Sequence, residues 1–287
     1  MTSSSFGEEL LATLALAESD GGAFRAPYIA GGRGVVFGGQ MLGQAIVAAW
    51  RRMPDKRLKS LQTVFARGVK VSEPVDIFVE PMQEGRTFGS STVTFVQDGR
   101  VCARSLALLD VQEPDLVNHQ VPMPDVAAPD PAKAQPNAAA APETIIVGDV
   151  DVRDPELTGP PTLQLWVRFP EAPAGDAAIA RALLAHATDG WLIATAMRPH
   201  KGIGQSMAHH ELSTTVLSHS LSFHDDFSAD AWLLIDHESQ AAGGGRAYGR
   251  GHVFTGDGRL VASFVQEALL RRAPADGPAV GRQATTF

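Results

Sequence analysis

Thr94-Phe95-Val96-Gln97-Asp98-Gly99-Arg100-Val101-Cys102-Ala103 returns later in the chain as Val253-Phe254-Thr255-Gly256-Asp257-Gly258-Arg259-Leu260-Val261-Ala262. Each stretch sets Asp-Gly between alternating apolar runs. This is the strongest short-range hairpin signal, because glycine accepts the positive φ that a tight turn between twisted strands requires. Working outward, Phe65 precedes Glu80 by the same separation that sets Phe223 before Glu238, so the chain carries itself twice at an offset of about 158 residues. Carried onward, the register matches Gln266 to Ala107 and Glu267 to Leu108, so the last strand bears these polar groups in the second copy alone. Two readings stay open on that feature: Gln266 faces solvent on an edge strand, or it marks one functional site per repeat pair.

Residues 39–53 are apolar on nearly every side until Arg51, and a helix of that kind must be surrounded. Runs at 58–66, 74–83, 87–97 and 101–110 are β-branched and aromatic and are bounded by turn residues, which predicts antiparallel strands. From 112 to 161 the pattern dissolves into proline and alanine, and we expect a linker, partly ordered at best, between a unit at 1–111 and a unit at 162–287. The second unit reads as a strand at 163–169, a helix at 177–197 ended by Pro199, and strands at 213–224, 231–241, 246–254 and 260–270. Helices set against antiparallel sheet make the class α+β. One long buried helix wrapped by such a sheet is the hotdog arrangement, and two in one chain predict a double hotdog.

A net charge of -8 and a pI near 5.6, with no basic run longer than Arg51-Arg52 or Arg271-Arg272, argue against a nucleic acid or an anionic membrane surface as partner. Cys102 is the only cysteine; it forms no internal disulfide, fits a reducing compartment and sits in an apolar strand where a buried structural thiol is expected. The first ten residues carry Glu8 and Glu9 and no secretory pattern, no stretch reaches the ~18 apolar residues of a membrane span, and Ala284-Thr285-Thr286-Phe287 is no targeting address. A soluble cytoplasmic protein is the expectation.

Four motifs, in order, carry a resemblance. Val36-Phe37-Gly38-Gly39-Gln40-Met41-Leu42-Gly43-Gln44-Ala45, Arg198-Pro199-His200, His219-Ser220-Leu221-Ser222-Phe223-His224 and the run from Asp257 to Glu267 resemble the bacterial type II acyl-CoA thioesterase family. The resemblance spans about 34–271 and fails in the linker and at the extreme ends. It implies hydrolysis of fatty acyl-CoA by a water held among an aspartate on the second helix, a hydroxyl residue on the following strand and a glutamine on the last strand. It further implies an acyl-CoA substrate with no cofactor and no metal, and an assembly of several double hotdogs is expected with it. By position the aspartate falls on Asp189 and the glutamine on Gln266. The hydroxyl position falls on Val216, which cannot hydrogen-bond a water. Strand alternation sets 214, 216, 218 and 220 on one face, so Thr214 and Ser218 are the candidate replacements, and Thr215 points away unless a bulge intervenes.

A thioester carbonyl is electrophilic and its thiolate leaves readily, so an oriented, partly deprotonated water suffices without a covalent intermediate. An exposed aspartate, with a pKa of ~3.9, is a poor base, whereas one desolvated between two packed units is raised into a useful range. Gln266 can donate to and accept from a water. Asp189 can also be read as a plain turn residue before Gly190. Aligning the two helices sets Asp189 against Gly38, and the N–H groups of Gly38 and Gly39, opening a helix, are candidates for polarising the substrate carbonyl; close helix packing is their other reading.

Rival chemistries are weaker. Gly204-Gln205-Ser206-Met207-Ala208 misses the last glycine of a nucleophile elbow, and Gly243-Gly244-Gly245 reads as a hairpin turn. His209, His210, His219 and His224 lack a zinc spacing and read as satisfied or solvent-facing histidines. Two alternatives remain: an acyl-CoA binding or sensing module without efficient hydrolysis, and a hotdog dehydratase or hydratase, for which His186, one turn before Asp189, is the available histidine.

Overall fold

The computed structural model describes residues 6–19, 21–29, 34–134 and 142–274; the chain ends at 1–5 and 275–287, and the part of the expected linker at 135–141, lie outside them. The helices are α1 (Phe6–Leu14), α2 (Gly38–Arg52), α3 (Ala177–Thr188) and α4 (Leu192–Met197). The strands of the first half are β1 (Ala17–Glu18), β2 (Phe24–Arg25), β3 (Arg57–Phe65), β4 (Asp76–Glu84), β5 (Phe88–Gln97) and β6 (Arg100–Asp110). Those of the second are β7 (Glu143–Ile146), β8 (Thr162–Arg168), β9 (Leu212–Phe223), β10 (Leu233–Gly243), β11 (Arg246–Thr255) and β12 (Leu260–Arg272).

All twelve described strands form one antiparallel sheet in the order β1-β2-β4-β5-β6-β3-β9-β12-β11-β10-β8-β7. The halves meet where β3 pairs with β9, from Ser60 opposite Ser222 to Val64 opposite Ser218. The first repeated hairpin turns as expected, with positive φ at both Asp98 and Gly99, as a two-residue turn of matching twist demands. In the second hairpin Gly258 alone takes positive φ, in a longer turn.

Every residue of α2 from Gly39 to Ala49 is buried, as its all-round apolarity requires. It packs along α3 in backbone contact, because a Cβ at Gly39 would stand 2.6 Å from the His186 carbonyl oxygen and one at Gly43 would stand 3.0 Å from that of Ala182. Only glycine permits that approach.

Two expectations change. The helix expected at 177–197 is broken at Asp189–Trp191, where Gly190 weakens the helix and Asp189 is drawn into other hydrogen bonds. The segment expected as a linker is partly built into the fold. Met123, Val126 and Ala134 pack against Trp166, Leu234 and Phe254 on the sheet face away from the helices, and Trp166 Nε1 donates to the Ala127 carbonyl at 3.0 Å. Gln120 pairs with the β11–β12 turn, donating to the Gly258 carbonyl at 2.7 Å and accepting from the Leu260 N–H at 2.9 Å. β7, inside the same segment, pairs with β8. A proline-rich strap can cover a sheet face without forming a periodic element, which is why composition alone suggests a tether.

Candidate active site

Asp189 closes α3 and is only 4% exposed. Its carboxylate lies at the N-terminus of α2, where the Gly39 N–H donates to it. Gln266 on β12 donates through Nε2 to Asp189 Oδ1 at 3.1 Å and to the Asp189 backbone carbonyl at 3.2 Å. Burial pushes the Asp189 carboxyl up to about 7, against the smaller opposing effect of the Gly39 and Gln266 hydrogen bonds. The other titratable side chains buried in this region, His186, His219 and His237, are driven down to about 4, 3 and 4 by desolvation and are neutral at pH 7.

Gln266 is not on an edge. β12 runs between β9 and β11, and Gln266 is 1% exposed, facing the helices between His219 on one neighbour and Gly249 on the other. A Cβ at Gly249 would stand 2.7 Å from Leu192 of α4, so that glycine lets α4 close over Gln266. Gln266 Oε1 makes no hydrogen bond to the protein and remains an acceptor beside the carboxylate.

Gly38 touches the same carboxylate: a Cβ there would stand 2.8 Å from Asp189 Oδ2. This corrects the helix alignment. Matched from their first residues, α2 and α3 set Asp189 against Trp50, and Trp50 lines a small cavity with Ala177 and Ala178 at the opposite end of the helix pair. Gly38 is the residue Asp189 meets across the pair. The rough helix alignment misleads because α4 and the turn after it are inserted in the second half alone. The Gly39 N–H is engaged by Asp189, which sets it apart from the carbonyl-polarising role expected for it.

The strand hydroxyls separate at a bulge. Glu267 pairs with Ser218 but Ala268 pairs with Val216, so Leu217 is the extra residue and the count by twos breaks there. His219, Val216 and Thr214 face the helices with Gln266. Ser218 faces the other way, level with exposed Glu267 and with Val64, itself 62% exposed. The structure therefore does not bring Ser218 to the Asp189 face. Thr214 is buried on that face with its hydroxyl 3.3 Å from the His209 ring, and Thr215 is exposed. Asp189, Gln266, Gly38 and Gly39 come together, with Val216 on the same face and no hydroxyl from the proposed set beside them.

The sequence singles out nothing at Thr188 and suggests a satisfied or solvent-facing ring at His219, which is instead 1% exposed with its Nδ1 unpartnered. Thr188 is fully buried, and its hydroxyl donates to the Ala185 carbonyl at 3.0 Å and lies 3.1 Å from His219 Nε2. The available signal was position: Thr188 precedes Asp189, and His219 opens the His-Ser motif. The His186 ring packs edge-on against Phe37 at 5.1 Å with its Nδ1 unpartnered, turned to an aromatic neighbour and not paired as a dehydratase would require.

A single antiparallel sheet with its helices buried on one face, and a carboxylate held at their meeting ends, defines a hotdog-type protein. A structure from Alicyclobacillus acidocaldarius described as having a hot dog fold superposes with a TM-score of 0.72 over 93% of this chain and 99% of that one, at 20% identity. The acyl-CoA thioesterase N-terminal domain family matches residues 26–109 and the acyl-CoA thioesterase C-terminal domain family matches residues 119–270. Acyl-CoA thioesterase 2 of Haemophilus influenzae is 32% identical over 255 residues, covering 82% of this chain and 87% of that protein. The acyl-CoA thioesterase II TesB2 of Mycobacterium marinum is 28% identical with a TM-score of 0.75, covering 94% of this chain and 100% of that one. The chain belongs to the acyl-CoA thioesterase family.

Proposed function

We propose that this protein hydrolyses acyl-CoA to a free carboxylic acid and CoA, with Asp189 as general base and Gln266 as the group that orients the attacking water. One observation carries the reading: a buried carboxylate poised near 7 is hydrogen-bonded to an amide whose other end is an unused acceptor. A base whose pKa lies near the working pH is both ionised and able to take a proton. Water that donates one O–H to Asp189 and the other to Gln266 Oε1 keeps its lone pairs free for the thioester carbon. Asp189 takes its proton as the C–O bond forms. Collapse of the tetrahedral oxyanion breaks the C–S bond, and the proton held by Asp189 passes to the departing thiolate or to solvent, which restores the carboxylate. No protein nucleophile enters this sequence, so no acyl-enzyme forms.

In this reading Gly38 keeps the space beside Asp189 Oδ2 open for the reacting carbonyl, and the Gly39 N–H holds the base. The two halves are two hotdog units fused through the β3–β9 pairing. That is supported by the repeated order of helix and strands and by the single sheet. Assembly of several copies belongs to the same proposal, on the support of outward-facing Val64, Leu106 and Leu108, and the buried thiol of Cys102 supports a cytoplasmic setting. Turnover of a medium-chain acyl-CoA in ¹⁸O-water, followed with a thiol-trapping reagent, tests the reaction. Equal release of free CoA and singly labelled acid is expected; binding with no CoA release would make the protein a sensor.

A further inference from the structure

Buried polar side chains carry a desolvation cost, and His219 bears it without full compensation. It is 1% exposed, and its Nδ1 has no hydrogen-bond partner. Its ring is stacked on Phe264 at 5.4 Å with planes 19° apart, and Phe264 in turn meets the His237 ring edge-on at 5.4 Å. Packing alone would be served as well by an apolar ring. What the imidazole adds is Nε2, 3.1 Å from the Thr188 hydroxyl. That hydroxyl has a single proton and gives it to the Ala185 carbonyl, so its oxygen accepts from His219, which fixes the tautomer as Nε2–H. His219 is also the residue directly opposite Gln266 in the β9–β12 pairing. One ring therefore touches the residue before Asp189 and lies beside the strand position that carries Gln266.

We propose that His219 is a positioning residue that, through its Nε2–H and the Thr188 hydroxyl, fixes the end of α3 and so holds Asp189 in register with Gln266. The proposal rests on the reading of Asp189 as the base. The link works as a strut between sheet and helix. The last carbonyls of a helix have no partner within it, and a displacement of about 1 Å at a reacting group is enough to cost on the order of a hundredfold in rate. Because desolvation keeps the ring neutral, the same N–H is presented throughout the working pH range.

The test compares His219→Phe, which keeps the stack on Phe264 and loses the donor, with His219→Gln, whose amide can restore it, and with Thr188→Val, which removes the acceptor. Rates are referred to folded protein by thermal melting. His219→Phe is expected to lower kcat about tenfold or more with KM within about threefold, in keeping with the cost of a misplaced reacting group. Its pH–rate profile should have an acid limb moved upward, because a loosened Gln266 contact no longer favours the Asp189 carboxylate. His219→Gln should recover most of the loss, and Thr188→Val combined with His219→Phe should be no slower than the worse single variant. Wild-type kcat and an unmoved acid limb in His219→Phe, or losses that multiply in the double variant, would overturn the proposal. If His219→Phe does not fold, Thr188→Val reads the same contact alone by the same two measures. Asp189→Asn, run alongside, separates the two levels: an inactive Asp189→Asn with an unshifted His219→Phe leaves the base standing and removes the strut, whereas an active Asp189→Asn removes both.

Discussion

Gln266 grips Asp189 twice, donating the same amide nitrogen to the carboxylate at 3.1 Å and to the backbone carbonyl at 3.2 Å. The first contact orients the carboxylate, and the second pins the end of the helix that carries it. Gln266→Ala loses both, together with the free acceptor. It should cost roughly 2–4 kcal/mol of transition-state stabilisation, read as a fall in kcat of about a hundredfold with a smaller change in KM. A kcat within threefold of wild type would show that the amide does not hold the water.

The pH dependence follows from the sign of the Asp189 shift. The base must be ionised, so kcat should rise with pH through about 7 and then level off. The folded pKa lies above the unfolded value, so the stability associated with this group is fully present below about 4 and is lost as pH rises through about 7. Asp189→Asn should therefore gain in melting temperature over wild type between pH 4 and 7 and hold that gain above 7. A constant difference across the range would mean that Asp189 is not perturbed.

Gly38 and Gly39 separate function from packing. A Cβ at Gly39 would meet the His186 backbone at 2.6 Å, and backbone cannot step aside, so Gly39→Ala should push α2 from α3 and destabilise by about 1–3 kcal/mol or more. A Cβ at Gly38 meets the Asp189 carboxylate at 2.8 Å, and a side chain can yield. Gly38→Ala should thus lose activity out of proportion to stability. Denaturant melts and steady-state rates on both variants check the contrast.

On β9, Val216→Thr adds a hydroxyl to the face that carries Gln266 and should raise turnover by about 0.5–1.5 kcal/mol, up to tenfold, if it reaches the water. Ser218→Ala lies on the opposite face and should be neutral, while Thr214→Ala should act chiefly through the contact with His209. A large loss in Ser218→Ala would contradict the bulge at Leu217.

Much of this was legible in the sequence, for definable reasons. The duplicated Asp-Gly hairpin signals itself because turn chemistry is local, and the all-apolar run of α2 signals burial because no other environment tolerates it. Asp189 and Gln266 stand out as polar residues that one repeat has and the other lacks. The side of β9 on which each hydroxyl falls is not legible, since the bulge at Leu217 reverses the alternation without leaving a mark in residue type. Nor is the partnership of Asp189 with Gly38, which arises from helices packed side by side and antiparallel across the repeat and which a rough helix alignment converts into a false equivalence. The strut from His219 to Thr188 joins residues 31 positions apart through tertiary packing, and sequence pattern carries no trace of it.

Asp189→Asn asks whether Asp189 takes the proton from water, because the amide keeps the shape of the side chain while abolishing the base. With a medium-chain acyl-CoA and a thiol-trapping reagent, kcat is expected to fall by at least about a hundredfold, while acyl-CoA affinity, measured by calorimetry on the same preparation, stays within a few-fold of wild type. Near wild-type release of CoA by Asp189→Asn would contradict the claim.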